Sequence, residues 1–464
     1  NIGGLMPING FLYPGASGPP APYEVANSLR FNGASDDGLN RTLGTPTNNY
    51  KWTISFWLKR TELGVEDAIM TSYTNNQNRG MLLFRTDDQL EILDLQSDSY
   101  VMQKKTNRKF RDVSAWYHIV ISSDATLSSP ETKFYINGVE ETSFATTNEY
   151  TQNQANKWNS AIANYIGNDS STRDFSGYLA EFVFIDGQAL DQTSFGEFDS
   201  DSPNIWKPID VSGLTFGNNG FYLDFEDSSN LGNDANGGTD WTVSNLTAID
   251  QSTDTCTNNF ATFNPLDLTS NQPTFSEGNT KMTTSANNDF NSSSSTIAVN
   301  SGKWYVEFIS VSGVKHIYGI VAASQSSGSS FPGKTSLGWG YFSGGGQVYH
   351  NDNTSSYGAS FSGTDVIGVY LNLDDDELRF SKNGTIQNSG TAIDISSASG
   401  EFMMFRASIE GSSQITANVN FGSPAYSISS GNSDANGYGN FEYSPTLSGV
   451  NYYALNTKNL AEFG

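Results

Sequence analysis

The side chains that most often carry chemistry are sparse in this 464-residue chain, and their spacing suits little of it. There are three histidines, His118, His316 and His350, and one cysteine, Cys256. No histidine stands at metal-ligand spacing from another. His118 lies in the apolar run Ala115-Trp116-Tyr117-His118-Ile119-Val120-Ile121 and is expected to be a packed residue. Cys256 sits among Thr255, Thr257 and Asn258 with no histidine near it in sequence, so it is not read as a nucleophile. A lone cysteine also rules out an internal disulfide. Residues 328–335 spell Gly-Ser-Ser-Phe-Pro-Gly-Lys-Thr, the letters of a phosphate-binding loop. Such a loop needs a helix after it, whose first amides cradle phosphate. Here the strand-like Ser336-Leu337-Gly338-Trp339-Gly340-Tyr341 follows, and Pro332 removes an amide. A glycoside hydrolase needs two carboxylates facing each other across the bond. Glu91 and Asp94 are three apart, which puts them on opposite faces of a strand.

Two kinds of site remain. Oxygen-rich loops bind calcium through Asp and Asn side chains and backbone carbonyls. Asp36, Asp37 and Asp174 are the candidate calcium ligands, and Asp374-Asp375-Asp376 is a tight acidic turn. Exposed aromatic rings stack on sugars or fill pockets. Tyr341, Tyr349 and Tyr357 are expected in Gly/Ser/Asn-rich loops of the second half of the chain and are the candidate ligand-binding residues. No catalytic residue is assigned, and no cofactor is expected other than calcium.

The elements that must position these groups are strands. Residues Trp52, Ile54, Phe56 and Leu58 alternate with polar neighbours, the pattern of a half-buried strand. Trp304, Val306 and Phe308 repeat it. Asn137-Gly138 and Asn383-Gly384 follow apolar runs and supply the positive φ of tight hairpin turns. A short helical turn is expected near residues 191–198. Long stretches of 3.6-residue periodicity are missing, so the chain reads as all-β. Charged residues are only 16%, against roughly 25% in an average soluble protein. The polar surface must then come from Asn, Ser, Thr and Gly, which suit short strands and tight turns. The net charge of −25 repels phosphate backbones and anionic lipid, so nucleic acid is set aside as a partner. No window approaches about 18 apolar residues, so no membrane span is expected.

The order of apolar strand, polar turn, apolar strand and Asn-Gly occurs twice, which divides the chain. We expect a Gly/Pro-rich N-terminal arm over 1–24, a first module over 25–208, and an irregular connector over 209–275. A second module over 276–425 and a C-terminal extension over 426–464 follow. The arm reads as an anchor on a neighbouring subunit or particle.

The first module resembles laminin-G-like jelly rolls of the concanavalin A/pentraxin type. The resemblance rests on Ser28-Leu29-Arg30-Phe31-Asn32-Gly33, on residues 52–58, on Trp116-Tyr117-His118, on Phe134-Tyr135-Ile136-Asn137-Gly138 and on Tyr165-Ile166-Gly167. The second module resembles a SPRY domain through Gly302-Lys303-Trp304-Tyr305-Val306-Glu307-Phe308, Leu337-Gly338-Trp339-Gly340-Tyr341, Phe380-Ser381-Lys382-Asn383-Gly384 and Val419-Asn420-Phe421-Gly422. These resemblances imply two tandem concanavalin A-like jelly-roll sandwiches and non-covalent recognition. Gly220-Phe221-Tyr222-Leu223-Asp224-Phe225, residues 257–266 and residues 454–460 resemble tail-fibre-like virion proteins of marine bacteriophages. That resemblance implies a virion surface protein, made in the bacterial host cytoplasm. It would be a tail or head fibre that attaches to a host-surface glycan or protein. The alternatives are a capsid or tail decoration protein whose partners are other virion proteins, and a polysaccharide-degrading enzyme. A homo-oligomer, with a trimer as the expected form, goes with either virion role.

Overall fold

The computed structural model describes residues 22–33, 36–169, 172–267, 273–284, 289–313, 315–328, 330–411 and 413–463. The N-terminal arm expected over 1–24 therefore lies outside the described residues as far as Ala21.

The strand Lys51–Arg60 carries the alternation of Trp52, Ile54, Phe56 and Leu58, and all four are fully buried in the first core. It lies mid-sheet, between Tyr117–Asp124 and Gly177–Asp186. The other members of this sheet include Glu131–Ile136, Val139–Glu141 and Ser28–Phe31. An eight-stranded antiparallel sheet packs against it, running from Phe144–Asn148 through Ser99–Lys109 and Asp67–Asn75 to Gly38–Thr42 and Thr242–Ser244. Alternating residues from both sheets fill the space between.

The second sandwich follows the same logic. Lys303–Ser310 lies between Thr416–Asn420 and Val366–Asn372, and Trp304, Val306 and Phe308 face inward. The opposed sheet runs Asn291–Ser294, Met403–Ile409, His316–Ala322, Gly338–Phe342, Gln347–His350 and Asn353–Ser356. Both Asn-Gly pairs form the expected turns, with φ of 49° and 78° at Asn137 and Gly138 and 49° and 75° at Asn383 and Gly384. The helical turn near 191 is a 3-10 turn over Gln192–Ser194, capped by Asp191. The one α-helix among the described residues is Thr457–Phe463, and none is long and apolar enough to cross a membrane.

Two features differ from the sequence pattern. First, Lys51–Arg60 is buried on both faces rather than one. Val120, Val183 and Ile185 on the outer face of its sheet are covered by Phe195, Val211, Phe216 and Tyr222, and Trp57 is covered by Trp206 and Val25. Second, residues 209–275 do more than connect. Phe221–Leu223, Thr242–Ser244 and Gln251–Ser252 each add a strand to the first sandwich. Phe221, Leu223, Trp241 and Leu246 enter its core. In the same way the C-terminal stretch sends Tyr453–Ala454 to run parallel beside Lys303–Ser310.

The seam between the sandwiches is built from buried hydrogen bonds. The Lys59 ammonium is fully buried and donates to Asp254 Oδ2 at 2.8 Å, Asn259 Oδ1 at 2.8 Å and the Phe260 carbonyl at 2.9 Å. Asp254 also accepts the Trp116 indole N–H. The Tyr178 hydroxyl donates to the Gly278 carbonyl at 2.9 Å, and the Asn279 amide donates to the Thr61 carbonyl at 3.0 Å. The Ser252 and Ser423 hydroxyls meet at 2.8 Å.

Candidate functional site

The candidate calcium ligands converge on one rim of the first sandwich. Residues 36–37 precede the strand Gly38–Thr42, and Asp174 precedes Gly177–Asp186, so two strand entries from opposed sheets meet there. Asp36 and Asp174 line an open depression of about 500 Å³, together with Asn40, Tyr165, Asn168 and Asn245. Burial, and then the negative charge of Asp36, Asp169 and Asp37, push the Asp174 carboxyl up to about 6. Asp36 also shares a hydrogen bond with it. Negative charge crowded at this rim is the electrostatic situation that a cation relieves.

The three aspartates are not equivalent. Asp37 is buried and its Oδ2 accepts the Asn32 backbone N–H at 2.9 Å, while its carbonyl accepts the Asn168 amide. It shapes the loop. Asp36 adopts a φ of 55°, and its carbonyl accepts the Asn245 amide, which brings residues of the expected connector to the rim. Asp169, which the sequence did not single out, is held by Arg173 at 2.7 Å and by the amides of Thr172 and Arg173. Among the described residues no group of three or more His, Cys, Asp or Glu side chains is arranged to hold a metal ion. The donor set at this rim is two carboxylates with asparagine amides beside them, which suits a hard, oxygen-binding cation and not a thiolate or imidazole metal.

The tyrosines need correction. Tyr341 is not a loop residue. It lies in the strand Gly338–Phe342, is fully buried, and packs on Phe361 at 5.0 Å and Phe380 at 5.4 Å. Its ring is part of the second core and offers no face to a sugar. Tyr357 packs edge-on against Tyr341 and Phe380, and its hydroxyl accepts the Phe380 backbone N–H at 3.0 Å. Tyr349 lies in Gln347–His350 and is half-buried between Phe331 and Phe342. Gly340 explains the Gly-rich context of these residues: a Cβ there would lie 2.2 Å from the Pro332 carbonyl. Pro332 thus packs over the strand Gly338–Phe342, and it is this strand, not a helix, that follows it.

His118, Glu181 and Glu307 are each buried in a hydrogen-bond network. His118 stacks on Trp57 at 4.7 Å, accepts the Trp206 indole N–H on Nδ1 at 2.8 Å, and lies 3.0 Å from Ser55 Oγ through Nε2. Burial holds it neutral, with a pKa down to about 3. Two glutamates that the sequence did not single out are buried carboxyls with pKa values pushed up to about 7 by desolvation. Glu181 sits at a bulge with φ of 50° and accepts the hydroxyls of Tyr222 at 2.7 Å and Tyr23 at 3.0 Å. It marks where one strand changes partners, from Ser28–Phe31 to Phe221–Leu223. Glu307 accepts four donors, two from strands of the second sandwich and two from the backbone of Glu442 and Tyr443.

Two face-to-face β-sandwiches with loops at their rims define the class of tandem concanavalin A-like modules. Residues 32–194 match the family model described as the concanavalin A-like lectin/glucanases superfamily, of the laminin G type. Residues 303–423 match the SPRY domain. The chain carries one domain of each kind, in that order. Among solved structures it is similar to the SPRY domain of human HERC1, at 19% identity and a TM-score of 0.28, covering 34% of this chain and 96% of that one. It is also similar to the native heptameric SAP-like pentraxin from Limulus polyphemus, at 15% identity and a TM-score of 0.27, covering 36% of this chain and 79% of that one. No curated protein matches the chain.

Proposed function

We propose that this is a non-catalytic binding protein of a phage virion, a tail or head fibre that holds a host-surface glycan or protein at the rims of its sandwiches. The observation that carries the reading is the Asp36–Asp174 rim, where opposed strand entries bring acidic and amide oxygens to one open depression. Calcium would be held there by Asp36 and Asp174, with amide oxygens of Asn40, Asn168 or Asn245 completing the shell. A bound cation would offset the negative charge crowded there and present ligand-binding positions to sugar hydroxyls. The virion assignment is supported by the phage-like segments at 220–225, 257–266 and 454–460, and by a fold that needs no disulfide. Other virion proteins would be its partners, in a homo-oligomer such as a trimer. The test is a glycan array and host-envelope fractions probed with the whole chain, with calcium and with EGTA. Calcium-dependent binding that Asp174→Asn abolishes supports the reading; equal signals in all arms, or none, sink it.

One observation favours the decoration reading. Phe198 and Ile205, on the hairpin that covers the first sandwich, are 44% and 58% exposed. Apolar side chains at a hairpin tip suit a protein partner better than a sugar. Co-sedimentation with purified capsids or tails that Ile205→Asp breaks would support that role.

A further inference from the structure

We infer that the seam between the two sandwiches holds a second, calcium-independent site for an uncharged sugar unit of about disaccharide size. A groove of about 450 Å³ runs along it, within the range of roughly 300–1,000 Å³ typical of small-ligand sites. One wall comes from the first module, with Leu63, Glu62 and Ser176, and the other from Pro265, Phe275 and Ser276. No lining residue is shared with the Asp36–Asp174 rim.

Three features favour a neutral sugar. Leu63, Pro265 and Phe275 give the lining apolar surface suited to the C–H face of a pyranose. Ser176, Thr274 and Ser276 also line the groove and bring hydroxyl groups to match those of a sugar, the Ser176 oxygen already accepting the Gly33 N–H at 3.1 Å. A purely apolar peptide side chain would strip water from these hydroxyls without replacing its hydrogen bonds. Finally, the described lining contains no Lys or Arg, and Glu62 is its one charge, on a chain of net charge −25. An anionic sugar would be repelled.

The groove is also preformed. Tyr178 donates to Gly278 and Asn279 donates to Thr61 across the seam, so the walls are fixed before a ligand arrives. Gly278 has φ of 65°, and a Cβ there would come within 2.0 Å of the Tyr178 hydroxyl oxygen, which shows how closely the modules approach. A ligand would then not bear the cost of ordering two domains.

The experiment uses the whole chain on an array of neutral di- to tetrasaccharides of glucose, galactose, mannose and N-acetylhexosamines, in EGTA. Wild type should bind at least one of them. Ser276→Trp, which fills the groove, should weaken that binding tenfold or more. Leu266→Arg, at a lining residue 50% exposed and therefore tolerant of change, should do the same without lowering the melting temperature. Asp174→Asn should leave binding in EGTA intact, so loss of the rim and loss of the groove read out separately. The proposal is overturned if no neutral sugar binds in EGTA, or if both groove variants bind like wild type. Binding of apolar peptides alone on a parallel peptide array also overturns it.

Discussion

Replacing Glu307 with glutamine should flatten part of the pH dependence of stability by a calculable amount. Glu307 is fully buried, and it accepts the Tyr443 N–H at 2.7 Å, the Glu442 N–H at 3.0 Å, the Tyr305 hydroxyl at 3.0 Å and the Asn420 amide at 3.2 Å. Desolvation outweighs these donors and raises its carboxyl from 4.5 to about 7. A carboxyl raised on folding holds its proton more tightly in the native state. Its contribution is present below about pH 4.5 and is lost as pH climbs through 7. At 1.36 kcal/mol per pH unit, the interval amounts to about 3 kcal/mol. In Glu307→Gln the amide nitrogen must face a donor, which costs about 1–3 kcal/mol at any pH. On top of that constant offset, the variant should gain about 2.5 kcal/mol on wild type between pH 5 and pH 8. Denaturant titrations at half-unit pH intervals measure it. Curves for the two proteins that run parallel from pH 4.5 to 8 would refute the reasoning, because Glu307 would then not change its proton affinity on folding.

Two further outcomes follow from the seam. Lys59→Met leaves Asp254 buried without its cation and should cost about 3–5 kcal/mol by chemical denaturation, with Lys59→Met/Asp254→Asn recovering part of it. Gly278→Ala should cost more than Tyr178→Phe, because it adds a clash and a strained φ to the loss of one hydrogen bond; paired melting curves decide the order.

Much of the fold was legible because strand patterns are local. Trp52, Ile54, Phe56 and Leu58 state their own inward face, and the Asn-Gly pairs dictate their turns through backbone conformation alone. The expected connector was legible only as texture. Phe221–Leu223 and Thr242–Ser244 are three-residue strands, too short to show a period, and they gain their identity from partners about 40 and 200 residues away. Tyr341 was misread for a related reason. The glycines flanking it suggest a loop, whereas Gly340 is small because the Pro332 backbone lies against it.

The acidic rim was half legible. Asp36, Asp37 and Asp174 were visible as residue types, but which one turns inward depends on the backbone: Asp37 is consumed by Asn32, and Asp36 and Asp174 face the depression. Glu181, Glu307 and Lys59 gave no signal. Each stands at an alternate position where a solvent-facing polar residue would be normal. The class of element, the inward face of each long strand and the hairpin turns can be read from local residues, because they depend on neighbours within a few positions. Burial of the outward faces emerges only when distant segments pack over them. The amides of Glu442 and Tyr443 close over Glu307, and Phe441 packs on Tyr305, from more than a hundred residues away, and no local pattern encodes a cover that arrives from so far along the chain.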